Sequence, residues 1–82
     1  MDEQIVATLI GIAEAQEPME SFLHSSKMAI REALNCSVEE AEEHLHMVVA
    51  RGLIVMKLTP GGELRADQPM PIARWYWGRP DA

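Results

Sequence analysis

Apolar residues recur at helical spacing along the first segment of the chain. Ile5, Leu9 and Ile12 fall at i, i+4 and i+7, and Val6, Ile10 and Ala13 widen the stripe. The pattern predicts a helix over about 2–16. Asp2 and Glu3 lie near its start, where the helix dipole favours carboxylates. The opposite side carries Ala7, Gly11 and Ala15 at i, i+4 and i+8, a flat strip of small residues. Such a strip either faces solvent or admits a second helix at close range as a dimer interface. Pro18 ends the helix region. Residues 16–26 read as a connector, with Met19, Phe22 and Leu23 folding back onto the core.

A second helix is expected over about 27–34, with Ser25 or Ser26 as its N-cap and Met28, Ile30, Ala33 and Leu34 as its apolar members. Asn35 follows at a position that often requires a left-handed backbone, which asparagine tolerates well. Cys36 is a small apolar side chain in the turn, with no base near it in sequence. Ser37-Val38-Glu39-Glu40 is a capping box that opens a third helix over about 38–51. Its expected buried stripe is Val38, Ala41, Leu45, Val48 and Val49, and Gly52 closes it. Leu53 to Leu58 has the composition of a strand. Thr59-Pro60-Gly61-Gly62 is a turn signal, after which Glu63 to Ala66 could return as the second strand of a hairpin. Pro69 and Pro71 break regular structure. The tail has room for one more extended segment containing Trp75, Tyr76 and Trp77.

From Ser26 to Ile54 this order resembles the winged helix-turn-helix superfamily. A Leu, a tight turn, a Ser and a Val open the third helix; a Leu follows the Val by seven residues; a Gly-Leu-Ile ends the unit. Leu34, Ser37, Val38, Leu45, Gly52, Leu53 and Ile54 stand in those places. The fold expected is therefore α+β and mainly α: one three-helix winged helix-turn-helix domain over residues 1–82. Its helices cover about 2–16, 27–34 and 38–51, its wing about 53–66, and an aromatic tail 69–82. The resemblance implies DNA binding, with the third helix in the major groove and the wing along the backbone or minor groove.

Charge changes that picture. The chain has 82 residues and a net charge of -6. Residues 1–50 hold ten acids against Lys27 and Arg31, a net of -8; residues 51–82 hold five cations against three acids, a net of +2. The exposed positions expected on the third helix are Glu39, Glu40, Glu42, Glu43, His44 and His46, and no Lys or Arg precedes Arg51. Binding to DNA is driven by phosphate neutralisation, and four carboxylates facing a polyanion oppose it. Glutamates in a first helical turn also have an ordinary role, stabilising the helix.

Two functions follow, neither catalytic. The favoured one uses the whole charge map: a regulatory module that binds a protein partner, or a second copy of itself, through an acidic third helix and a basic, aromatic wing and tail. Its candidate residues are Glu39, Glu42, Glu43, His46, Trp75, Tyr76 and Trp77. Trp, Tyr and Arg dominate binding hot spots, although tryptophans in so small a domain also serve as core caps. The alternative is a DNA-binding transcriptional regulator. It would use Arg51, Lys57, Arg65 and Arg74 on the wing and tail and dimerise through Ala7, Gly11 and Ala15.

Other chemistry is not indicated. Glu40 with His44, and Glu42 with His46, are i, i+4 pairs, read as solvated pairs rather than a metal site. Gly61-Gly62 is a turn rather than a phosphate loop. No nucleophile has an evident base, and no cofactor or small-molecule substrate is expected. A single cysteine fits a reducing compartment. The acidic start lacks the basic region of a signal peptide, and no run approaches the ~20 apolar residues of a membrane span, so a cytoplasmic location is expected.

Overall fold

The computed structural model describes residues 2–16, 18–59 and 74–80. Three helices are followed by a two-stranded antiparallel hairpin. Helix α1 spans Asp2–Ile10 and buries Ile5, Val6 and Leu9. It is shorter than the apolar pattern predicts. The Gly11 amide still donates to the Ala7 carbonyl at 3.0 Å, but the Ile12 amide tightens onto Leu9 at 3.1 Å and the chain leaves the helix. Ile12 and Ala15 still pack on the core, now from non-helical backbone. The stripe thus outlasts the helix that it resembles.

Ala15 pairs antiparallel with Trp75. The Ala15 amide donates to the Trp75 carbonyl at 3.1 Å, and the Trp75 amide donates back at 2.9 Å. Ala15 therefore belongs to a short sheet contact. It shares no helix face with Ala7 and Gly11, and the strip expected of these three as a dimer interface is not formed.

Helix α2 spans Met19–Leu34, two turns longer at its start than expected. Pro18, with φ -53°, immediately precedes it. Proline lacks only an amide that a helix start leaves unpaired, so here it opens a helix as well as separating two. The buried stripe is Phe22, Ser26 and Ile30, at i, i+4 and i+8. A serine in the middle of that stripe, beside Ser25, has the look of a cap. Its hydroxyl instead donates to the Phe22 carbonyl one turn back, at 2.8 Å. Asn35 ends the helix in the left-handed region, φ 51° and ψ 49°, and its amide donates to the Arg31 carbonyl. The Cys36 amide reaches the same carbonyl at 3.2 Å.

Helix α3 spans Val38–Ala50 and carries the capping box. The Glu40 amide donates to Ser37 Oγ at 3.1 Å, and the Ser37 amide donates to Glu40 Oε1 at 3.3 Å. Ala41, Leu45 and Val48 are buried. Val38 and Val49 are not, being 37% and 44% exposed. Gly52, with φ 70°, turns the chain out of the helix in a conformation that L side chains rarely adopt.

Strand β1, Val55–Leu58, pairs with β2, Trp75–Gly78, in the register Val55–Gly78, Met56–Trp77, Lys57–Tyr76 and Leu58–Trp75. The second strand of the hairpin is thus the aromatic tail. The return strand expected at 63–66 lies outside the described residues. Both hydrogen-bonding groups of Trp75 go to Ala15, so Ala15 lies on the edge of β2 away from β1.

Trp77 holds the hairpin to the helices. It is 4% exposed. Its ring stacks on Phe22 with centroids 5.8 Å apart and planes 24° apart, and its indole N–H donates to Ser26 Oγ at 2.7 Å. Ile5, Leu9, Ile30, Val48 and Ile54 complete the centre of one core. The arrangement is α+β and consistent with a three-helix winged helix-turn-helix domain.

Candidate functional site

Helix α3 turns Ala41, Leu45 and Val48 to the core and leaves an acidic exposed side. Glu39, Glu40, Glu42, Glu43 and His46 are all exposed. Glu40 is engaged in the capping box, its carboxylate accepting also from the Ser37 hydroxyl at 3.0 Å. Glu42 lies 3.8 Å from Lys27 on α2. Among the described residues, no cation stands within ion-pair distance of Glu39 or Glu43. His44 is half-buried, and its Nδ1 is buried without a hydrogen-bond partner among the described residues.

The cations are placed differently from the expectation. Arg51, at the end of α3, donates to Asp2 at 2.8 Å. Arg79, just past β2, donates to Glu3. The first two acids of the chain are therefore held against two of its arginines, tying the start of α1 to the end of α3 and to the end of the hairpin. Arg74 is exposed. Lys57 is half-buried in β1, and its stem crosses β2 at Gly78, where a Cβ would stand 3.2 Å from Lys57 Cδ and Cε. Arg65 lies outside the described residues.

The three aromatics of the tail divide between core and surface. Trp77 is a core residue. Trp75 is half-buried against the core, and Tyr76 is half-buried on the other face of the strand. Trp77 therefore cannot serve as an exposed anchor without leaving Phe22 and Ser26.

An open groove of about 580 Å³ lies between α2, α3 and the hairpin. Leu23, Leu45, Val49, Ala50, Met56 and Trp77 are its apolar lining, and Lys27, Glu42 and His46 stand among them. Sequence reasoning missed it, since it placed Val49 in the buried stripe. The available signal was that α3 has more apolar positions than one 100° stripe holds: Val48 and Val49 are adjacent and cannot both face the same core.

Among the described residues, no group of three or more His, Cys, Asp or Glu side chains could hold a metal ion, and no helix is long and apolar enough to cross a membrane. Comparison of the chain with family models, with curated proteins and with solved structures finds no match.

Proposed function

We propose that this chain is a non-catalytic winged-helix module that binds a protein partner through the acidic face of α3. The observation that carries this reading is the exposed row Glu39, Glu42 and Glu43 on the helix that a DNA-binding winged helix would insert into the major groove. Juxtaposed like charges cost several kcal/mol at an interface. Arg51 and Arg79 offset this less than unpaired cations would, because each faces a carboxylate of the same molecule.

The second reading is a DNA-binding regulator that makes its contacts through the hairpin, with Arg74 and Lys57 as its cations. It is favoured by the fold arrangement and by the exposure of Arg74. Its dimer through Ala7, Gly11 and Ala15 is not part of it, since those residues do not form one strip.

Paired affinity purifications from the native cell, using wild type and the Glu39→Gln, Glu42→Gln, Glu43→Gln triple variant, test the proposal. A stoichiometric protein retained by wild type and lost by the variant is the expected result. Retention of the same proteins by both would overturn it.

A further inference from the structure

Within that reading, the groove between α2, α3 and the hairpin has no assigned occupant. We infer that it receives a basic amphipathic helix from another protein. The floor supplies apolar contact: Leu23, Val49 and Met56 line it, and Val49 is 44% exposed. An open apolar trough between two helices and a strand suits the anchors of one helix at i, i+3/i+4 and i+7.

The wall on the α3 side fixes the charge of the partner. Glu42 and His46 line the groove. Glu39 lies three residues before Glu42, and Glu43 three before His46, so both share the faces of lining residues. Lys27 on the opposite wall is already balanced by Glu42 at 3.8 Å. The charged lining itself, Lys27 and Glu42, balances, while the exposed Glu39 and Glu43 beside it on α3 make that rim net negative, and a helix with lysines or arginines flanking its apolar face complements it. A second copy of this chain fits less well. A two-fold pairing across the groove would set the glutamates of one α3 against those of the other.

The inference rests on the protein-binding reading of α3, and the test separates the two. The probe is a fluorescein-labelled peptide of about 16 residues with leucines at i, i+4, i+7 and i+11 and lysines between them. The control has the same composition, scrambled so that no apolar face forms. Binding is read by anisotropy and mapped by amide chemical shifts of the labelled protein. The expected result is a micromolar complex with the patterned peptide and at least roughly tenfold weaker binding of the scrambled one. Shifts should centre on Leu23, His46, Val49 and Met56. Val49→Lys, at an exposed position, should weaken the patterned peptide by a similar factor. Equal binding of both peptides would overturn the groove while leaving the acidic face as a protein-binding surface. Binding of neither would overturn both. Dimerisation of the protein alone, lost in Val49→Lys, would replace the peptide by a second copy and also overturn the inference.

Discussion

Ser26 shows how much one side chain decides in so small a core. It is fully buried, donates to the Phe22 carbonyl and accepts from the Trp77 indole. Removing the hydroxyl leaves a buried N–H unpaired, which costs about 1–3 kcal/mol, whereas removing both partners costs less than the sum. Ser26→Ala is therefore expected to lower stability by about 1–3 kcal/mol, although alanine is the better helix former by a few tenths of a kcal/mol. In a urea-denaturation cycle with Trp77→Phe, the Ser26→Ala cost should shrink markedly once the indole N–H is gone. An equal cost with and without the indole would mean that its bond contributes nothing. Asn35 makes a similar point about backbone. At φ 51° a residue with an ordinary Cβ is strained by about 1–2 kcal/mol. Asn35→Ala should thus destabilise measurably, and Asn35→Gly should be close to neutral in the same assay.

Elements carry the next layer. The α3 capping box satisfies two amides that the helix start would otherwise leave unpaired. Ser37→Ala is expected to cost about 0.5–2 kcal/mol, read as a fall in the urea midpoint with unchanged slope. This box was legible in the sequence, as were the Asn35 turn and the body of α3, because each rests on a local signal of three or four residues. The start of α2 and the end of α1 were not. At Ile12 and Ala15 the apolar spacing continues while the backbone changes from helix to a sheet contact, and period alone does not register the change. At Ser25-Ser26 a buried serine bonded to the preceding turn imitates a cap. The pairing of β1 with the aromatic tail was hidden for a third reason. The turn signal at Thr59-Pro60 favours a short return, but the strand that pairs is the one whose tryptophan fills the core between Phe22 and Ser26. That pairing rests on long-range packing, which no local signal in the sequence registers.

At the scale of the whole molecule, charge and fold pull apart. The elements are arranged consistently with a three-helix winged helix-turn-helix domain, yet the exposed side of its third helix carries Glu39, Glu40, Glu42 and Glu43. The charge asymmetry of the two halves was legible in the sequence. The internal use of Arg51 and Arg79 was not, since each pairs with an acid at the far end of the chain. The groove beside α3 was hidden for the same reason, its walls coming from three elements. The most direct test of the account is an anisotropy titration of a labelled random duplex at low salt, about 20 mM, followed by a rise in salt. The account predicts no saturable binding by wild type, and the appearance of weak binding only when Glu39, Glu42 and Glu43 are changed to Gln. Tight binding by wild type that falls steeply with salt, and is lost in an Arg74→Ala, Lys57→Ala variant, would contradict it and establish phosphate neutralisation by the hairpin.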